Sequence, residues 1–180
     1  MKLRRKDIYY VILLLLAITN WFIQSKKPQP KITKPEAAMT ASSSAILVKH
    51  IVDGDTIEIA TGEKLRYIGI DTPETKDPKK SKQCFGDEAS AKNRELVGGK
   101  EIGMMKDVSE TDRYGRLLRY VYVTDNTASP PATIFVNEYL VKEGYAYAAT
   151  FPPDVKYNEH FRKLQDEAMK QKKGLWARCK

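Results

Sequence analysis

Among the charged residues between positions 55 and 74, three carboxylates and a guanidinium group stand out: Asp55, Asp71, Glu74 and Arg66. A second arginine, Arg116, opens a later apolar run. Carboxylates held close together repel one another, and a hard dication placed between them turns that repulsion into a site with oxygen ligands. A further carboxylate beside such an ion, as Glu74 would be, can orient or deprotonate a water. Arginine suits a phosphate oxyanion because its planar fork donates paired hydrogen bonds and stays charged. Each residue also has an ordinary reading: aspartates at turn ends, a solvated loop glutamate, arginines in surface ion pairs.

Which reading holds depends on the elements that carry these residues. ILVKHIV (46–52), TIEIA (56–60) and KLRYIGI (64–70) read as strands, with turns at Asp53-Gly54-Asp55 and Thr61-Gly62-Glu63. A hairpin turn centred near Glu63 would set Asp55 directly across from Asp71, with Cβ atoms about 4.5–5.5 Å apart. Without a cation such a pair would repel, so its removal would be expected to spare or even raise stability. A slip in register would instead leave two unrelated aspartates. Arg66 and Asp71 are five residues apart, which in a regular strand puts them on opposite faces. The strand must therefore twist or bulge if both serve one site. Lys76, Lys79, Lys80 and Lys82 follow in a Pro/Lys-rich loop. They suit either a basic arm beside a phosphate site or a plain solvated loop.

Further along, DEASAKNRELV (87–97) reads as a helix ended by Gly98-Gly99. EIGMMKD (101–107) and RLLRYVYV (116–123) read as strands, and FVNEYLVKEG (135–144) and YNEHFRKLQDEAMKQKKG (157–174) as helices. Five short strands with interleaved helices predict an α+β domain: a small Greek-key barrel with three helices packed on it.

The ends of the chain bear on compartment. Met1–Lys6 is basic, and an apolar stretch follows from Ile8 to Ile23. This pattern predicts an export signal over 1–23. An uncleaved membrane anchor is favoured over a cleaved peptide because no A-x-A site follows. Lysines on both flanks leave orientation open. Residues 24–45, broken by Pro28, Pro30 and Pro35, read as a linker, and 46–180 as the folded domain. The formal net charge is +8, but residues 1–45 hold eight Lys/Arg against two Asp/Glu. The folded part is close to balanced, so an argument for a polyanionic partner must rest on local clusters. His50 and His160 show no catalytic pairing, and there is no glycine-rich phosphate loop. Cys84 and Cys179 are too few for a structural zinc site. They are either two unrelated thiols or one disulfide, which would need an oxidising compartment.

DGDT (53–56), IDTPET (70–75) and TDRYGR (111–116), in that order and spacing, resemble the staphylococcal nuclease family. VNEYLVKEGYA (136–146) and NEHFRKLQDEA with GLW (158–176) are similar to it as well. The resemblance implies a five-stranded oligonucleotide-binding (OB) barrel with three helices. It implies Ca2+ held by Asp55, Asp71 and the carbonyl of Thr72, with Arg66, Glu74 and Arg116 catalytic. Glu74 would act on the attacking water, and the arginines would stabilise the transition state. Arg113 and Tyr114 resemble residues lining the family's nucleotide pocket, where Lys is commoner than Arg113. The implied activity is cleavage of DNA and RNA, in single strands or frayed duplex, to 3′-phosphate and 5′-hydroxyl ends by a monomer. The alternative is a degenerate, non-catalytic nucleic-acid-binding barrel, which typically loses the acidic and arginine residues kept here. The segment YAYAATFPPDVKY (145–157) departs from the family's stacking segment, so Tyr145, Tyr147, Phe151 and Tyr157 all remain candidates to meet a base. Cys84 and Cys179 are similar to a pair in other exported members, and a domain outside the cytoplasm is expected.

Overall fold

The computed structural model describes residues 45–75 and 82–179. The expected anchor, the linker through residue 44, and Lys76, Lys79 and Lys80 lie outside the described residues. The elements run β1 (Ile46–Ile51), β2 (Thr56–Ile59), β3 (Lys64–Tyr67), β4 (Ile70–Asp71), α1 (Gly86–Val97), β5 (Glu101–Met105) and β6 (Leu117–Asp125). They continue with β7 (Ala132–Phe135), α2 (Val136–Lys142), β8 (Tyr147–Ala148), α3 (Asn158–Lys170) and α4 (Leu175–Arg178).

Five strands close the expected OB barrel. The ladder β3-β2-β1-β5-β6 is antiparallel throughout, and a parallel pairing of β3 with β6 joins its ends. Closure buries the apolar positions of each strand, among them Val48, Ile57, Ile59, Leu65, Tyr67, Ile102 and Val121. Helices then cover the open ends with their own apolar stripes. In α2 these are Val136, Leu140 and Val141, and in α3 they are Phe161, Leu164 and Ala168. An aromatic wedge fills the gap between β6 and α3: Tyr120 lies edge-on to Tyr157 at 4.8 Å between ring centres, and Phe135 to Tyr157 at 5.1 Å. A disulfide joins Cys84, ahead of α1, to Cys179, after α4.

Two expectations need correction. The strand expected over 64–70 breaks at Ile68-Gly69 into β3 and β4, and β4 leaves the barrel to pair with β8. Gly69 makes the break possible. Its φ is +78°, which disfavours any side chain, and a Cβ there would meet the Phe161 ring at 2.7 Å. The helix expected over 157–174 ends at Lys170, and the chain turns through Gly174 into the separate α4.

Asp154 ties two surface loops together. It is 5% exposed, and its Oδ1 accepts the backbone N–H groups of Val108 at 2.9 Å and Ser109 at 2.8 Å. Burial pushes its carboxyl up, but those hydrogen bonds outweigh it and hold the group below its usual range. Because the folded value is depressed, this stabilisation is fully present above the unfolded value of about 3.9 and is lost as pH falls through the folded value. Asp154→Ala should cost about 2–3 kcal/mol near neutral pH, since it strands two part-buried backbone donors that now bond a charged acceptor. Thermal melts from pH 7 down to pH 3 check this: the gap between variant and parent should narrow on acidification.

Candidate active site

The turn between β1 and β2 supplies the first carboxylates. Asp53 Oδ1 accepts the Asp55 N–H at 3.1 Å, which curls the turn. Asp55 points inward and is 1% exposed. Its Oδ2 accepts from Thr72 N at 2.8 Å and Thr72 Oγ1 at 3.0 Å, and its Oδ1 from Thr56 Oγ1 at 3.2 Å. The strand break then brings Asp71 to the same place, and Arg66 spans the two. Arg66 Nη1 pairs with Asp55 Oδ1, while its Nη2 pairs with Asp71 Oδ1 at 2.5 Å and donates to the Ile70 carbonyl at 3.3 Å.

The hairpin register differs from the one expected. β2 and β3 pair Thr56 with Arg66 and Glu58 with Lys64, and the Tyr67 N–H donates to the Asp55 carbonyl at 2.9 Å. The partner of Asp55 is thus Tyr67, not Asp71. The turn is centred on Thr61, two residues earlier than the assumed Glu63. Asp55 and Asp71 meet because the chain bends at Gly69 rather than because they oppose one another in a ladder. The same bend lets Arg66 and Asp71, five residues apart, face one site.

Two fully buried asparagines hold this geometry. Asn137 of α2 accepts the Val121 N–H at 2.9 Å and donates to the Ile68 carbonyl at 2.9 Å, fastening the bend to β6. Asn93 of α1 donates to the Asp53 carbonyl at 3.0 Å and accepts the Tyr67 hydroxyl at 2.8 Å, fastening the acidic turn. Neither was legible in the sequence, where both pass for ordinary polar helix positions.

Asp53, Asp55, Arg66, Asp71, Thr72, Pro73, Glu74 and Arg116 line one cleft of about 210 Å³. All six residues expected in the metal and catalytic sets are therefore together. Glu74 follows Pro73 on a short loop braced both ways by Gln83, whose Oε1 accepts the Glu74 N–H and whose N–H donates to the Glu74 carbonyl, each at 2.9 Å. Arg116 enters from the start of β6, and Asp112 Oδ2 accepts from its Nε at 2.7 Å. Asp53 was missed as a lining residue, although it is the first letter of DGDT. Burial pushes its carboxyl above the usual range against the opposing pull of Arg66, and the nearby Glu74 pushes it further the same way.

Tyr114 stands at the edge of this arrangement. It is 68% exposed, its ring centre is 5.4 Å from the Arg116 guanidinium and 4.8 Å from that of Arg113, and its hydroxyl accepts from Arg113 Nη2 at 2.7 Å. Neither Arg113 nor Tyr114 lines the cleft. Of the four aromatics left open over 145–157, Tyr157 is committed to the wedge, Tyr145 packs on Phe85 and Tyr147 on Trp176. Phe151 is 61% exposed. Lys82, at the end of the lysine loop, pairs with Asp87 at 2.5 Å.

A closed barrel with an acidic turn, a bent strand and two arginines at its mouth defines an OB domain with a densely charged cleft. The chain belongs to the staphylococcal nuclease family: the model for staphylococcal nuclease homologues matches residues 64–178. It is 38% identical over 138 residues to the SPbeta prophage-derived endonuclease YokF of Bacillus subtilis (strain 168), covering 74% of this chain and 44% of that protein. It is also 38% identical over 138 residues to endonuclease YncB of the same organism, covering 74% of this chain and 62% of that protein. With the thermonuclease of Staphylococcus hyicus it shares 35% identity over 147 residues, 80% of this chain and 82% of that protein. The chain thus spans about half the length of the two Bacillus endonucleases and most of the Staphylococcus thermonuclease.

Proposed function

We propose that this domain is a Ca2+-dependent nuclease that hydrolyses phosphodiester bonds of DNA and RNA. The observation that carries the reading is Arg66, a cation lodged between Asp55 and Asp71 at the mouth of a cleft that also holds Glu74 and Arg116. The donor set fits a hard ion. Its side-chain donors are all oxygens, and Arg66, which spans the two carboxylates here, would have to yield part of that place to an ion. Among the described residues no group of three or more His, Cys, Asp or Glu side chains could hold a metal. Calcium takes six to eight oxygens, so Asp55, Asp71 and the Thr72 carbonyl would need waters and a substrate phosphate to complete the shell. Such an ion would polarise the phosphoryl group and lower the charge at the reacting centre.

The chain's own residues account for the rest. Glu74, fixed by its loop, takes a proton from the attacking water. Arg66 and Arg116 donate to phosphoryl oxygens as negative charge accumulates on them. Departure of the 5′-oxygen leaves 3′-phosphate and 5′-hydroxyl ends. Tyr114, exposed beside Arg116, suits stacking on unpaired bases, which favours single strands or frayed duplex. The Cys84–Cys179 disulfide supports a domain working outside the cytoplasm, in keeping with the export pattern of residues 1–23.

End-labelled DNA and RNA incubated with the full chain test the proposal. Cleavage is expected with Ca2+ and absent with excess chelator, and the new 5′ ends should accept phosphate from a polynucleotide kinase without prior phosphatase treatment, as 5′-hydroxyls do. Undiminished cleavage in chelator, or 5′-phosphate ends, would overturn it. A non-catalytic barrel would bind both nucleic acids and cut neither.

A further inference from the structure

Asp112 belongs to none of the expected sets, yet one carboxylate fixes both the backbone and the side chain of Arg116. Its Oδ1 accepts the backbone N–H groups of Tyr114 at 2.9 Å and of Arg116 at 3.0 Å. Its Oδ2 accepts from Arg116 Nε at 2.7 Å and lies 2.7 Å from Arg116 Nη2. The main chain repeats the tie: the Asp112 N–H donates to the Arg116 carbonyl at 2.9 Å, and the Gly115 N–H donates to the Asp112 carbonyl at 3.0 Å.

A guanidinium has five N–H donors in a planar fork. Asp112 engages the Nε–Nη2 edge, which leaves the Nη1–Nη2 edge as the bidentate face for an oxyanion. A free arginine would spend rotamer entropy to reach that pose, and a lysine has no second edge to offer. Burial raises the Asp112 carboxyl, but the Arg116 and Tyr114 hydrogen bonds outweigh it and keep the group below its usual range. It is therefore ionised wherever a nuclease of this kind would work.

We propose that Asp112 is a positioning residue for the reaction: it orients Arg116 so that the outer edge of the guanidinium meets the phosphoryl oxygens of the transition state. This rests on the role given to Arg116 above. Asp112→Asn separates the two duties of the carboxylate. The amide oxygen can still receive the Tyr114 and Arg116 N–H groups, but its NH2 then opposes Nε and Nη2, donor against donor.

The test is a double-mutant cycle on the full chain with Ca2+ and a short labelled DNA, reading kcat and KM separately. Asp112→Asn should lower kcat about 10–100-fold, with KM within about threefold. In an Arg116→Lys background the same change should lower kcat no more than about threefold further, because the partner it positions is gone. A kcat for Asp112→Asn within threefold of the parent overturns the proposal, as does a loss that adds in full on Arg116→Lys. If Arg116→Lys by itself leaves kcat intact, the role of Arg116 fails first, and the two failures are thereby told apart. Should Asp112→Asn not fold, Asp112→Glu carries the test. It keeps the charge but shifts the guanidinium by a methylene, and the same kcat-only loss is expected.

Discussion

Arg66→Lys and Arg116→Lys should each slow single-turnover cleavage by about 10²–10³, while affinity for the same DNA, titrated in chelator, changes by less than about tenfold. Lysine keeps the charge but loses the planar fork. Arg66 directs its fork to three acceptors, with Nη1 on Asp55 and Nη2 on Asp71 and the Ile70 carbonyl, which fixes the plane in which its other N–H donors meet a phosphoryl oxygen. A single ammonium cannot reproduce three acceptors in that plane. Glu74→Gln should slow the step at least as much, because the amide cannot take up a proton from water. If the arginine variants alter only affinity, these residues hold substrate without acting on the transition state.

The second large effect separates two carboxylates that would share one ion. Asp55→Ala should abolish detectable Ca2+ binding and cleavage, and should also destabilise the fold by about 3–5 kcal/mol. Asp55 is buried, and its loss strands Thr72 N–H, two hydroxyls and one arm of Arg66. The reasoning from sequence pointed the other way, toward relief of repulsion between two bare carboxylates. The structure argues otherwise, since four donors meet the Asp55 carboxylate and Arg66 stands between it and Asp71. Asp71→Ala should lose Ca2+ binding equally but shift stability by no more than about 1 kcal/mol, because its side chain is 56% exposed and meets Arg66 in a solvated pair. Calorimetric titration with Ca2+ alone, beside thermal melts of each variant, measures both. Equal stability of the Asp55→Ala chain and its parent would show that the buried donors do not depend on this carboxylate.

The residues of the cleft were legible because their chemistry is carried by type and order along the chain: DGDT, IDTPET and TDRYGR each deliver lining or adjoining side chains. The way they meet was less so. A hairpin turn can be drawn one or two residues either way from composition alone. Here Gly62, with φ of +88°, sets it around Thr61-Gly62 and not Glu63. The break at Ile68-Gly69 sits inside an unbroken apolar run that reads as one strand. Only the packing of Phe161 against Gly69 and the reach of Asn137 to the Ile68 carbonyl, both from distant parts of the chain, reveal it. β7 and β8 escaped notice for a related reason. They are short, and β8 exists because β4 has left the barrel and needs a partner.

The Cys84–Cys179 crosslink divides the chain into a covalent ring and an arm. Residues 84–179 form the ring, which includes α1, β5, β6 and the helices that follow; β1 to β4 form the arm. In the chain-entropy account a closure of this size restricts the unfolded state by about 4–5 kcal/mol, and the restriction falls on the ring. The arm gains nothing from it. Its hold is noncovalent, through the seams β1–β5, β3–β6 and β4–β8 and the packing behind them. Asp55, Arg66, Asp71 and Glu74 ride on the arm and Arg116 on the ring, so the cleft lies astride that boundary. The crosslink therefore guards the larger part of the fold, while the apposition of charges in the cleft lasts only as long as the seams stay shut.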